Sequence, residues 1–440
     1  MIDFKGKPKS EIAREVEIYL REKVMPYWYD TTVDLRNGGY IVSDKFDFSS
    51  NAGTPWLRRL LSSLPSMFHF HAHGAREKQL VSQSRLLLVF SQAHRLGCSD
   101  GKRNYLKAAE VGYSFLIEYM LDKKYGGFFW KTDIKGRVVE SCKSLYGQAF
   151  ALYALVEYHR ASGLSAPLDQ AVLLYKKVQE KFHDTINSGW VEHGKKDFMP
   201  LRSLSKRSSR YPRSMPDVLG LKSGNAHMHW MESLIELYDA TRDGSVGSSL
   251  MEALEINKTF FFPVDAGKYC EYRMSDWSEA KGNRDEGICY GHNVEFALLM
   301  VHAQKVLQIP PDWGHFFSIL DHALKYGFDH ERGGLHFKGF DEQPASNTRK
   351  IWWVQAECLA ALAEALHHEA KAVYDRALDL LLDWIFRYQI PSDDGMWIWS
   401  TDEEGKPLNL TKAGHWKAAY HEVRAITKFI HAFSSNNAQP

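Results

Sequence analysis

The chain has 440 residues, 44 % of them hydrophobic and 25 % charged, a composition that excludes disorder as the main state and supplies a large core. Its 55 basic and 54 acidic residues leave a net charge of +1, too little to steer nucleic acid or an anionic membrane surface. Five scattered cysteines without a CxxC pair argue against a disulfide framework or a zinc knuckle, and no apolar run reaches signal-peptide or membrane-span length, so the expected compartment is cytoplasmic.

Apolar residues at three- and four-residue spacing predict twelve amphipathic helices, over 11–25, 76–97, 101–121, 141–161, 166–183, 223–241, 246–258, 290–307, 312–326, 350–368, 369–388 and 414–434. After each odd-numbered helix stands a Gly-led aromatic or β-branched stretch: NGGYIV from 37, YGGFFW from 125, NSGWVEH from 187, DAGKYCEY from 265, RGGLHF from 332 and DDGMWIWS from 393. Such stretches suit a tight turn followed by a short strand, so the chain reads as six degenerate repeats of helix, hairpin, helix. A helix pair cannot bury its apolar stripe alone, and six pairs close as an all-α (α/α)6 barrel, a toroid with one ring of helices inside the other. An open solenoid is the alternative, but it requires polar end caps that helices 1 and 12 do not show. The expectation is one catalytic domain over 1–440 with short flexible termini, the even-numbered helices inside, and later turns that are largely apolar.

Two stretches fall outside the repeat. Residues 48–75 make a long excursion containing HFHAH, and residues 195–218 are basic, Ser-rich and broken by Pro. Both are expected as loops over one mouth of the barrel, the second as a lid or a solvated loop. The basic run between Arg202 and Arg213 has no interleaved aromatics and is not read as a nucleic-acid site. His69, His71 and His73 lack a neighbouring Cys or carboxylate, which weighs against a metal site.

Polar residues gather near the starts of the even-numbered helices. In GNAHMHWMES, Asn225, His229 and Glu232 share one helix face; in YGHNVEF, His292 and Glu295 stand at i, i+3, where a Glu can orient an imidazole. Helix 10 contributes Trp352 or Trp353 with Gln355 and Glu357. Helix 12 contributes Trp416 and Tyr420 at i, i+4, and likewise Lys417 and His421, with Arg424 three further on. Helix 2 carries Lys78, Gln83 and Arg85, and helix 4 carries Lys143, Tyr146 and Gln148. For Arg85 and Lys143 the alternative is structural satisfaction of buried polar atoms, and for Tyr146 and Gln148 it is packing. Convergent helix N-termini favour a neutral imidazole and stabilise an oxyanion formed beside a carbonyl. No GxGxxG, P-loop or GxSxG pattern supports a nicotinamide, nucleotide or serine-hydrolase chemistry.

The segments NAHMHWME from 225, YGHNVE from 290, IWWVQAE from 351 and WKAAYHEVR from 416 resemble the N-acylglucosamine 2-epimerase and cellobiose 2-epimerase superfamily, which includes mannose isomerases. The motif resemblance points most to the cellobiose 2-epimerases. It implies an (α/α)6 barrel acting on the open-chain form of a free mono- or disaccharide, with no metal and no nicotinamide. By this resemblance His292 and His421 are the paired acid/base residues, His229 a further active-site histidine, and Arg85 a holder of the sugar oxygen. Asn225, Glu232, Glu295, Glu357, Trp353 and Trp416 are expected to bind or face the sugar. The implied reaction is inversion at C2 of the reducing-end aldose through a cis-enediolate. The alternatives are an aldose-ketose isomerase of mannose type, an N-acylglucosamine 2-epimerase, an inverting glycosidase using Glu232, Glu295, Glu357 or Asp217, and a sugar-binding protein. Two departures stand out: Ala419 where cellobiose epimerases often carry Pro, and a 48–75 segment longer than usual. Monomer and homodimer are left open.

Overall fold

The computed structural model describes residues 6–42, 77–201, 220–265, 269–280, 287–391 and 394–434, with Phe4. The 48–75 excursion with its histidines, the 195–218 segment beyond residue 201, and thus Asp217, lie outside the described residues.

Twelve helices follow one another among the described residues. They are α1 (Lys9–Tyr19, prolonged by a π-turn at Leu20–Val24 and by Met25–Thr32), α2 (Leu80–Arg95), α3 (Tyr105–Phe115), α4 (Leu145–Ser162), α5 (Ser165–Phe182) and α6 (Gly224–Thr241). After them come α7 (Gly244–Ile256), α8 (Tyr290–Val306), α9 (Trp313–Tyr326), α10 (Trp352–His368), α11 (Ala372–Trp384) and α12 (Tyr420–Phe433). Helix α2 packs on α4, α4 on α6, and so on through α8, α10 and α12 back to α2; each odd helix packs outside an even one, with α1 against α12. The ring closes, as expected from six repeats. The inner helices bury nearly every residue of their first three turns, as in Leu145–Tyr158 of α4, whereas the outer ones bury a stripe such as Tyr374, Ala377, Leu378, Leu381 and Leu382 of α11. No described helix is long and apolar enough to cross a membrane.

Two helix boundaries differ from expectation. The first helix does not stop near Pro26 but continues to Thr32. The π-turn just before the proline widens the backbone where its missing N–H and ring would break an α-turn. The last helix starts at Tyr420 rather than 414, because Ala419 adopts a left-handed φ of 58° and residues 414–417 close a turn between Gly414 and Lys417. Trp416 and Lys417 therefore do not share a helix face with Tyr420 and His421. A proline could not take that φ at 419, so the entry to α12 differs from what the resemblance implies.

Three hairpins are fastened to an inner helix by a glutamine in the same way, while in a fourth Trp190 N–H donates to His227 Nε2 of α6 (3.2 Å). The Gln83 amide accepts from Tyr40 N and donates to Tyr40 O, both at 2.8 Å; Gln148 does this to Phe128 and Gln355 to Leu335. A Cβ at Gly39 (φ 66°) would lie 2.6 Å from the Gln83 amide oxygen, and one at Gly127 (φ 64°) 2.9 Å from that of Gln148, which explains the second glycine of these turns. Four buried lysines just ahead of inner helices, Lys78, Lys143, Lys222 and Lys350, reach turn aspartates Asp34, Asp122, Asp184 and Asp329 at 2.8–3.1 Å. Gln83, Gln148, Lys78 and Lys143 are thus structural. Gln148→Leu strands a buried N–H and a buried C=O of Phe128, and chemical denaturation should show a loss of about 1–3 kcal/mol per group.

The strand leading into each inner helix pairs antiparallel with the strand after the next hairpin: Lys143–Ser144 with His193–Gly194, Lys222–Ser223 with Tyr272–Arg273, Ile288–Cys289 with Lys338–Gly339. These ladders link successive repeats around the mouth and hold the inner-helix N-termini together. The opposite ends are less apolar than expected. There Arg160 meets Glu157 (2.6 Å) and Asp239 (2.8 Å), and Lys305 meets Glu364 (2.6 Å).

Candidate active site

The inner ring points the first turns of α6, α8, α10 and α12 at one another, with α2 alongside, and a buried polar cluster fills the space between them. Its centre is Arg424, one turn into α12. Its Nη1 contacts Glu232 of α6 (2.7 Å) and the Tyr420 hydroxyl (2.5 Å), while its Nη2 pairs with Glu295 of α8 and Glu357 of α10 (2.5 Å). One guanidinium therefore balances carboxylates from three helices. Despite burial, Arg424 and His229 hold Glu232 at about 2. Burial, reinforced by Glu295 and opposed by Arg424, raises Glu357 above the usual carboxylate range.

Two carboxylates of this cluster orient histidines. His229 Nδ1 lies 2.9 Å from Glu232 Oε2, the i, i+3 pairing expected on α6, and His421 Nδ1 lies 2.6 Å from Glu357 Oε1 across two helices. With Nδ1–H donated to Glu357, His421 keeps its lone pair on Nε2, 3.5 Å from Arg85 Nη2. Burial, together with the nearby Arg85 and Arg424 cations, keeps the His421 imidazole well below its ordinary value and hence neutral.

His292 breaks the expected pattern. Its Nδ1 does not meet Glu295, which is committed to Arg424; it meets Glu271 Oε2 (3.1 Å) and the Tyr269 hydroxyl (3.2 Å), both from the hairpin after α7. The expected His292–Glu295 pair is corrected accordingly: the Arg424 guanidinium takes the Glu295 carboxylate, and Glu271 reaches His292 Nδ1 from the hairpin. Burial opposes a charge on His292, yet Cys289 and Glu271 outweigh it and hold the imidazole well above its ordinary value. The two histidines thus rest in opposite protonation states while lying against the same indole, with ring centroids 4.8 Å (His292) and 5.9 Å (His421) from that of Trp353.

Arg85 donates to the Trp416 carbonyl (2.7 Å) and the Tyr146 hydroxyl (2.8 Å) and lies over the Phe150 ring. The Trp416 carbonyl is free to accept because 414–419 is not helical. Trp416 is 38 % exposed, and its ring stands 6.0 Å from Tyr146, so a large apolar face remains open at the mouth. Asn225 is half-buried in the first turn of α6, with Oδ1 unpartnered. Trp353 is the indole that both histidines share; Trp352 packs on Trp399 and meets His421 edge-on at 6.4 Å.

Every predicted site residue therefore belongs to this one end of the ring. Tyr269 and Glu271 were missing from the predicted set, and Tyr420 and Arg424, singled out at the start of helix 12, had been given no role in the site. Glu271 stands one residue farther from its glycine than Glu192 does in NSGWVEH, an offset that hides their equivalence. Among the described residues, Glu295, Glu357 and His421 offer ligand atoms within 4.8 Å of one another, but Arg424 already spans the two carboxylates.

Residues 70–425 match the family model described as N-acylglucosamine 2-epimerase (GlcNAc 2-epimerase). The chain is 27 % identical over 433 residues to a cellobiose 2-epimerase of Dictyoglomus turgidum, covering 96 % of this chain and 98 % of that protein. It is 23 % identical to a D-mannose isomerase of Marinomonas mediterranea, over 93 % and 95 % of the two chains. The solved cellobiose 2-epimerase of Spirochaeta thermophila superposes with a TM-score of 0.78 at 25 % identity, covering 97 % of each chain.

Proposed function

Because the chain belongs to the N-acylglucosamine 2-epimerase family, we propose that it inverts C2 of the reducing-end aldose of a free sugar, cellobiose or another β-1,4-disaccharide, or glucose and mannose. The observation that carries this reading is the pair of imidazoles held against one indole, each anchored at Nδ1 by its own glutamate, Glu271 for His292 and Glu357 for His421. His421 Nε2 takes the C2 proton of the open-chain aldose; the C2–H electron pair moves into C1–C2, and the carbonyl pair moves onto O1. Arg85 and His229 stabilise the charge on O1. His292 returns a proton to the opposite face of C2, the carbonyl re-forms, and solvent exchange resets the two histidines. Inverting glycoside hydrolysis is disfavoured because, among the described residues, the candidate carboxylates Glu232, Glu295 and Glu357 are all tied to Arg424. The buried thiols of Cys98, Cys289 and Cys358 fit a reducing compartment, and on this reading the enzyme is cytoplasmic and a single catalytic unit.

The test is incubation with glucose, mannose, cellobiose and N-acetylglucosamine in deuterated water. An epimer carrying deuterium at C2 is expected. A ketose as the main product from mannose would replace this reading with an isomerase, and no conversion of any sugar would overturn it.

Trp416 supplies the open face for the apolar side of a pyranose ring. Trp416→Ala should raise KM and lower kcat/KM by about 10-fold or more, equivalent to ~1.4 kcal/mol, in steady-state kinetics with an unchanged melting temperature. Kinetics equal to the parent on every accepted sugar would remove Trp416 from the site.

A further inference from the structure

The hairpins place one residue of every repeat in the same position. Ile41, Phe129, Val191, Cys270, His336 and Ile398 each donate their N–H back to the end of the preceding outer helix, and the next residue along is Val42, Trp130, Glu192, Glu271, Phe337 or Trp399. The carbonyl of that residue does the same work in five repeats, accepting from Leu80, Leu145, Gly224, Tyr290 or Trp352 at the start of an inner helix. The backbone bonds do not depend on the side chain, so the side chain is available for another role. In two repeats its aromatic ring covers the start of the next inner helix: Trp130 lies against Gly147 of α4, and Phe337 stands 6.4 Å from Trp353 of α10; Trp399 instead packs on Trp352.

At Glu271 the same position carries a carboxylate, and the start of the next inner helix carries His292. Resting on the reading given under Proposed function, we infer that Glu271, with Tyr269 bonded to it, is a positioning residue that fixes the His292 tautomer and keeps this ring the proton donor. Glu271 Oε2 and the Tyr269 hydroxyl both face Nδ1, which leaves Nε2 as the atom that meets the sugar. The other titratable groups around the ring are Cys289 at the base of α8, Lys338 on the strand paired with Ile288–Cys289, and His421 across the site. Glu295, on the same helix, is turned to Arg424. Glu192, at the equivalent position one repeat earlier, has a histidine nitrogen no nearer than His193 Nε2 at 3.8 Å, and burial pushes its carboxyl up to about 7, whereas His292 at 3.1 Å, with Tyr269 and Lys338, holds Glu271 below the usual carboxylate value against burial.

Glu271→Gln keeps an acceptor for Nδ1–H and removes the charge. The test follows the His292 ring by NMR through a pH titration, assigned with His292→Asn, in parent and E271Q. The His292 midpoint should fall in E271Q, the basic limb of the kcat profile should move to lower pH, and kcat at pH 8 should drop about 10–100-fold with KM little changed. A larger truncation, Glu271→Ala, should lose the tautomer as well and fall further. An unchanged His292 midpoint and basic limb in folded E271Q would overturn the inference. The titration needs no turnover, so a parent enzyme inactive on every sugar would overturn the proposed function while leaving this measurement able to decide the role of Glu271.

Discussion

His421→Ala, and separately His292→Ala, should lower C2 inversion by about 10²–10⁴-fold while the protein stays folded and binds sugar, because each removes a proton-transfer group and not a packing element. The pH dependence follows from the two environments. Burial with Arg85 and Arg424 keeps His421 neutral until the pH falls well below its ordinary value, so the acid limb, where the base is lost, lies on that side. Cys289 and Glu271 keep His292 charged until the pH rises well above its ordinary value, so the basic limb, where the acid is lost, lies on the other. The parent should therefore show a broad plateau across neutrality in kcat against pH. Folded H421A and H292A variants that each retain near-normal turnover would remove the assignment, and a narrow optimum centred at the ordinary histidine value would contradict the electrostatics.

Arg424→Met should be the most destabilising single change in the site. The guanidinium pairs with Glu232, Glu295 and Glu357, and taking one partner from a buried ion cluster costs about 3–5 kcal/mol because the remaining charges are left unbalanced. The sign with pH is testable. Without Arg424, Glu232 rises from its lowered value and Glu357, already raised, rises further, so the folded state gains from their protonation; this gain is present at low pH and lost as pH rises through the raised values. The variant should thus be closer to the parent in denaturant midpoint at pH 5 than at pH 8. An equal deficit at both pH values would mean that the guanidinium matters through packing alone. Activity should fall with stability, since Glu232 and Glu357 orient His229 and His421.

The twelve helices, their division into two rings and the mouth where polar residues gather were legible in the sequence because they depend on local periodicity and on Gly-led turns, both short-range properties. Even the glycine pairs have a local signature, although the reason at Gly39 and Gly127 is a glutamine from an inner helix. Within one helix, sequence spacing was equally sufficient: His229 and Glu232 meet as i, i+3 on α6. It failed where a partner comes from another element. Glu295 has the same spacing from His292, but Arg424, distant in sequence, takes it, and Glu271 takes its place from a hairpin. Likewise the pattern over 414–419 reads as helix, yet the Arg85 bond to the Trp416 carbonyl and the burial of Lys417 against Glu422 (2.5 Å) hold it in a turn. What the sequence alone determined was which faces are apolar and where the chain reverses. Which buried charge pairs with which was decided only by the closed ring, because the cost of an unpaired charge in a low-dielectric interior depends on everything that packs around it, and no spacing rule within one segment contains that information.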